Sequence, residues 1–253
     1  MTAESDKQPL LTHLAELRNR LLACALFFFV AFAIAYVYAT DIYAFLVQPL
    51  ADVLEGEQRR LIYTSLMEAF TTYLRVAFWA ALCVSFPFIL VQIWRFIAPG
   101  LYGYEKRAVR PFLVMLPVLF AAGAALAYFY VIPMAWKFFV GFEQLATPGH
   151  LPIQLETRMA DYLSLTMSLL FAFGVAFEMP IVLLLLIRIG LIAPTDLAAK
   201  RRYAIVIIFV VAAILTPPDA ISQLCLALPL ILLYEGTILF SKLTYKNLRP
   251  DHD

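Results

Sequence analysis

Polar positions are sparse along this chain, and apolar residues run together instead of alternating. Leu21 to Thr40 carries no charge, nor do Val76 to Trp94 and Pro111 to Trp136. Tyr162 to Phe177 follows, is interrupted by Glu178, and resumes to Ile187. Tyr203 to Pro218 comes next, and Ala220 to Tyr234 continues past Glu235 to Phe240. A membrane-crossing helix needs about 20 consecutive apolar residues. The pattern therefore predicts an all-α, polytopic membrane protein with six transmembrane helices, and Thr216-Pro217-Pro218-Asp219 forms a tight turn between the last two.

The predicted spans are unequal. Ser65-Leu66-Met67-Glu68 has the form of a capping box, so the second helix is expected to run from about Leu66 to about Ile97. At about 1.5 Å per residue that is roughly 45 Å, against a bilayer core of about 30 Å. The fifth run has 16 residues including its terminal prolines, or roughly 20 Å of helix. A short fifth and sixth helix beside long second and third helices requires either a hairpin that stops short of one face or a locally thinned membrane. Pro87, Pro117, Pro133, Pro180 and Pro229 fall within spans, and each removes a backbone donor. Taken singly they are bends for packing; together they favour a concave bundle. Outside the spans, Ile42, Phe45, Leu46 and Leu50 predict a short amphipathic helix ending near Pro49. The second outer loop, 142–161, shows no strong helical pattern.

Composition agrees with this picture. The chain has 253 residues, 63% hydrophobic and 15% charged, where an ordinary soluble domain carries about 25% charged residues. A mean hydropathy of +0.84 excludes disordered, nucleic-acid-binding and disulfide-rich secreted classes. Cys24, Cys83 and Cys225 sit in apolar runs without C-x-x-C spacing, which supports neither zinc nor a disulfide frame. The first residues, with Glu4, Asp6, Glu16, Arg18 and Arg20, do not read as a cleavable leader.

Charge placement orients the bundle. The N-tail (1–20), the loops near 95–110 and 188–202, and the C-tail (242–253) hold 14 of the 19 Lys and Arg residues; Arg59, Arg60, Arg75, Lys137 and Arg158 lie on the other side. By the positive-inside rule both termini are cytoplasmic, flanking a membrane domain over 21–241.

No P-loop pattern is present, and His13, His150 and His252 lie outside the spans, so neither nucleotide hydrolysis nor a haem between helices is expected. Without an intramembrane Ser–His or Asp–Asp pair, the chain reads as a recognition or transport protein, not an enzyme, with no cofactor or metal. Glu178 is the most anomalous residue. A mid-span carboxyl costs a few kcal/mol or more, so it belongs against the bundle or a wet groove, and is expected to be neutral there. It is either a protonated Glu hydrogen-bonded to a neighbouring backbone or hydroxyl group, or a functional polar spot lining a groove, and physics alone leaves both open. Glu16 follows an amphipathic tail with Leu10, Leu14, Leu17 and Leu21 on one face. It is either an i,i+4 partner of Arg20 or a recognition acid. Glu105, among Lys106 and Arg107, is either a local neutralising charge or a second such acid.

Five stretches, in order, resemble the TatC family, the polytopic core of the twin-arginine protein translocase. They are His13-Leu14-Ala15-Glu16-Leu17-Arg18-Asn19-Arg20-Leu21; Gln92-Ile93-Trp94-Arg95-Phe96-Ile97-Ala98-Pro99-Gly100-Leu101-Tyr102; Glu105-Lys106-Arg107; Phe173-Gly174-Val175-Ala176-Phe177-Glu178-Met179-Pro180; and Leu215-Thr216-Pro217-Pro218-Asp219 with Ser222-Gln223. The resemblance covers about Leu10 to Ser241. It implies a receptor for folded cargo whose N-terminal signal carries paired arginines. Glu16 and Glu105 would hold that pair, with Arg18, Phe96 and Arg107 bordering the surface. Glu178 would face a concave groove in the membrane. Thr216, Asp219 and Gln223 would lie where single-span partners of the TatA and TatB type dock, and Pro49 would shape the first outer loop. The family further implies a homo-oligomer within a larger complex, in the lipid bilayer of a bacterial cytoplasmic (inner) membrane. A competing reading is a proton-coupled small-molecule transporter centred on Glu178; against it, one acid stands nearly alone and no repeat is seen.

Overall fold

A computed structural model describes residues 10–53, 61–97, 103–143, 156–188, 190–216 and 220–246. Ten α-helices follow one another among them: α1 (Leu10–Val37), α2 (Ala39–Val53), α3 (Glu68–Ile97), α4 (Gly103–Leu126), α5 (Ile132–Val140), α6 (Met159–Ala176), α7 (Met179–Arg188), α8 (Pro194–Ala199), α9 (Arg201–Leu215) and α10 (Ala220–Lys246). A π-helical turn, Ala127–Val131, joins α4 to α5. Among the described residues, the β-structure is an isolated parallel bridge between Ile62 and Arg158.

Among the described residues, five stretches are long and apolar enough to cross a membrane: Thr12–Val37, Glu68–Phe96, Leu113–Val140, Met159–Ile187 and Ser222–Leu243. The expected fifth span is α9, whose 15 residues amount to about 22 Å, short of the bilayer core of about 30 Å. The expected shortness of the sixth helix is corrected. α10 has 27 residues and runs through Pro229 and beyond Phe240 to Lys246, because the helix continues into the polar segment after its apolar run. The Glu235 carboxylate pairs with Arg201 at the start of α9, at 2.9 Å, so the charge lies at the bundle's polar end.

The prolines act in distinct ways. α3 and α10 carry Pro87 and Pro229 inside continuous helices. Before Pro133 the chain inserts the π-turn, in which the Ile132 N–H donates to the Ala127 carbonyl; a π-bulge absorbs one extra residue without breaking the helix. At Pro180 the fourth span divides into α6 and α7. Here Phe177 caps α6, and the Ile181 and Val182 N–H groups donate to the Glu178 carbonyl, both at 3.1 Å. α2 does not end at Pro49 as expected but continues to Val53. α3 starts at Glu68, not Leu66, since the Glu68 carboxylate reaches back to the Thr64 N–H at 2.8 Å instead of to Ser65.

α1 packs on α3; α6 lies against both α3 and α4; and α10 contacts α9, α7 and α8. The core is centred on α6, where Tyr162, Leu163, Leu169 and Phe173 are buried beside Val76, Val131, Ile132 and Leu226. Two glycines allow α4 and α6 to meet closely. A Cβ on Gly123 would collide with the Phe173 carbonyl oxygen, and one on Gly174 would lie 2.5 Å from the Phe120 ring. Phe120 and Phe86 enclose Phe171 on the same seam. α1 is the most exposed span, with 6% of its apolar window buried, as a helix facing lipid would be.

Candidate functional site

At one end of the bundle α1 is fastened to α3 by polar and aromatic contacts. Glu16 and Arg20 stand one turn apart on α1, so their side chains meet. The Arg20 guanidinium donates through Nε, at 3.0 Å, and through Nη2 to the same oxygen, Glu16 Oε1. Its third prong, Nη1, crosses to Gln92 Oε1 on α3 at 3.1 Å. One turn along α3, Phe96 stacks on His13 with ring centroids 4.1 Å apart and planes 18° apart. Helical spacing explains the arrangement: Gln92 and Phe96 share the face of α3 turned to α1.

Among the described residues, Glu16 Oε1 takes two N–H groups from Arg20 and Oε2 has His13 Nδ1 nearest, at 4.0 Å. The carboxylate is 26% exposed and Arg20 23%. A cavity of about 440 Å³ opens beside them, lined by Thr12, Ala15, Glu16, Asn19, Arg20, Ala23 and Gln92. Arg18 points away into solvent, where its guanidinium donates to Asn19 Oδ1 at 3.2 Å. Of the sequence-derived set, then, Glu16 and Phe96 come together on the α1–α3 seam and Arg18 lies beside them on α1. The i,i+4 pairing of Glu16 with Arg20 is present. Glu105 and Arg107 fall in the first turns of α4; their side chains lie outside the described residues.

Within the bundle, Glu178 is 3% exposed. Neither carboxyl oxygen has a hydrogen-bond partner among the described residues. A buried polar group left without one costs free energy. A separate cavity of about 490 Å³ has almost wholly apolar walls from α2, α3, α4, the π-turn and α6, including Phe45, Trp79, Cys83, Tyr128 and Met167. Glu178 is not part of those walls.

At the α9–α10 turn, Thr216 is buried and its hydroxyl donates back to the Ala212 carbonyl at 2.9 Å. Gln223 Nε2 reaches the Phe209 carbonyl at 3.2 Å, tying α10 to α9 across the turn. Asp219 lies outside the described residues. Ile214, just before the turn, is 77% exposed.

Two constellations escape a reading by motif. The first links the two outer segments. The Ile62 N–H donates to the Thr157 carbonyl at 3.2 Å, and the Met159 N–H to the Ile62 carbonyl at 2.9 Å. Arg158 Nη2 then donates to Thr64 Oγ1 at 2.7 Å and to the buried Glu68 carboxylate at 3.4 Å. Only the acid at a helix start signalled this clasp in the sequence. The second surrounds Pro49, where Tyr128 and Tyr162 donate to backbone carbonyls of α2. Among the described residues no group of three or more His, Cys, Asp or Glu could hold a metal ion.

Comparison with known proteins follows from this geometry. Residues 12–229 match the family model described as "Sec-independent protein translocase protein (TatC)". The chain is 47% identical to the Sec-independent protein translocase protein TatC of Magnetococcus marinus over 237 residues, which is 94% of this chain and 85% of that one. Against the Escherichia coli K12 TatC it is 43% identical, covering 94% and 89%. A crystal structure of the twin-arginine translocase receptor TatC in DDM is similar with a TM-score of 0.75 and 39% identity, covering 90% of this chain and 99% of that one.

Proposed function

Because the chain belongs to the TatC family of Sec-independent protein translocase proteins, we propose that it is the receptor and core component of a twin-arginine translocation system. In that role it binds signal peptides with paired arginines and takes part in moving folded proteins across the membrane. The observation that supports the reading is the α1–α3 end: an acid beside a cavity, paired with Arg20, which is itself held from a second helix through Gln92. Guanidinium meets carboxylate in a planar geometry that lysine cannot reproduce.

A second acid is close by chain connectivity. Ile97 ends α3 and Gly103 begins α4, and this short link spans at most about 22 Å fully extended. α3 itself is about 45 Å long, so the first turn of α4, with Glu105, is at the same end as Glu16. Two acids suit two adjacent arginines. Arg18 and Arg107 limit the surface to a cation pair that brings its own apolar segment, and Phe96 offers that segment an aromatic contact.

The remaining assignments belong to the same proposal. The basic asymmetry supports a cytoplasmic α1–α3 end; the membrane is the inner membrane of a bacterium, and α9 serves as the short fifth of six spans. The turn bearing Thr216, Asp219 and Gln223 receives single-span TatA- and TatB-type subunits, since a short helix leaves polar groups at membrane depth. Several copies join one complex. Glu178 supplies a polar point in a membrane groove. The competing transporter reading has no support: the relatives found are translocase proteins.

The test uses the purified full chain in lipid nanodiscs and a labelled signal peptide carrying paired arginines or paired lysines. The arginine peptide is expected to bind at least several-fold more tightly. Equal binding of the two, or none, rejects the proposal.

A further inference from the structure

α2 continues through Pro49, and the consequence of that proline is visible three helices away. Residue 49 has no N–H, so the Phe45 carbonyl has no donor one turn ahead of it. Tyr128, from the π-turn of the third span, donates its hydroxyl to that carbonyl at 2.7 Å. Its ring lies flat on the Phe45 ring, with centroids 4.4 Å apart and planes 4° apart. One residue further on, the Leu46 carbonyl accepts the hydroxyl of Tyr162, a fully buried residue of α6, at 2.6 Å. Two tyrosines from two different spans therefore meet consecutive carbonyls on the turn that the proline opens.

We infer that Tyr128 and Tyr162 are positioning residues for the outer half of α2, with Tyr128 supplying the hydrogen bond that Pro49 removes. A carbonyl that has lost its helical donor is best satisfied by another, and the Tyr128 ring stacked on Phe45 brings one to it. The proline thereby turns a self-sufficient helix into one that needs the third span to be complete. The π-turn has a role in this. An extra residue between α4 and α5 shifts the facing of the side chains, and it is from within this turn that Tyr128 points at α2. Tyr162 begins from α6 just past the clasp between Ile62 and Arg158, so both outer segments and α2 are referred to one fixed frame. The proposal concerns the activity of the translocase only through how this frame is held. Failure of signal recognition would leave it standing.

The experiment separates substitution from repair. Tyr128→Phe keeps the stacked ring and deletes the donor; Pro49→Ala restores an N–H to the Phe45 carbonyl; Tyr162→Phe serves as the control. Hydrogen exchange of the α2 amides after residue 46, read on the full chain in nanodiscs, is compared with export of a folded reporter by cells. Tyr128→Phe is expected to speed that exchange by about three- to tenfold, equivalent to about 0.7–1.4 kcal/mol, the range of a neutral hydrogen bond. Export should fall with it. Adding Pro49→Ala should return both readouts towards wild type in Tyr128→Phe but not in Tyr162→Phe, whose carbonyl it does not serve. The inference is overturned if Tyr128→Phe leaves exchange unchanged, if Pro49→Ala fails to repair it, or if both tyrosine variants are repaired alike.

Discussion

Replacing Glu16 tests the recognition proposal quantitatively. The structure sets the size of the effect, because Arg20 already occupies Oε1 with two N–H groups while Oε2 has His13 Nδ1 nearest among the described residues. An incoming guanidinium therefore gains one charged hydrogen bond at Oε2 unless it displaces Arg20. Such a bond is worth about 1.5–3 kcal/mol, or about 10- to 100-fold in affinity. The carboxylate is 26% exposed and its charge is partly balanced by Arg20, so the lower end applies. Glu16→Ala is expected to weaken binding of an arginine signal by about tenfold. Glu16→Gln keeps an acceptor and loses only the excess of a charged over a neutral bond, about 1 kcal/mol, or about fivefold. Both losses should shrink as salt rises, since the site lies at the surface. The fold should tolerate both changes, because the Arg20–Gln92 bond and the His13–Phe96 stack still hold α1 to α3. Fluorescence anisotropy of a labelled signal peptide, with the chain in nanodiscs, reads the affinities. If Glu16→Ala binds the arginine peptide as wild type does, and still prefers it over the lysine peptide, Glu16 is only the helix partner of Arg20.

Gly174→Leu should lower the thermal unfolding temperature in detergent, as overpacking costs about 1–3 kcal/mol where a Cβ already lies 2.5 Å from the Phe120 ring; an unchanged transition would mean the α4–α6 seam is not rigid. With Cys24, Cys83 and Cys225 replaced, a cysteine at Tyr63 should react with an impermeant thiol reagent outside intact cells and one at Ala199 should not; the reverse labelling would invert the topology. A photo-cross-linker at Ile214, which is 77% exposed beside the α9–α10 turn, should capture a small single-span membrane protein, and finding only lipid adducts would remove that docking surface.

Much of this protein was legible in its sequence, for a physical reason. In hydrocarbon each backbone donor must be satisfied within its own segment, so a helix announces itself as a long apolar run, and α1, α3, α6 and the shortness of α9 could all be placed by counting. Charges are too costly within such runs, which left Glu178 conspicuous and the basic loops countable. Glu16 and Phe96 came from motif likeness and proved to adjoin one seam. What the sequence could not decide was how one helix completes another. Whether Pro49 ends α2 depends on a donor for the Phe45 carbonyl, and that donor, Tyr128, is supplied from a different span. Whether Pro133 kinks the third span depends on the space for a π-turn. The clasp of Arg158 with Thr64 and Glu68 joins residues 94 and 90 positions apart in the chain. The length of an apolar run is a local property and locates the membrane helices; their exact ends and the partners of polar atoms are set by packing between distant segments, and only the tertiary structure chose them.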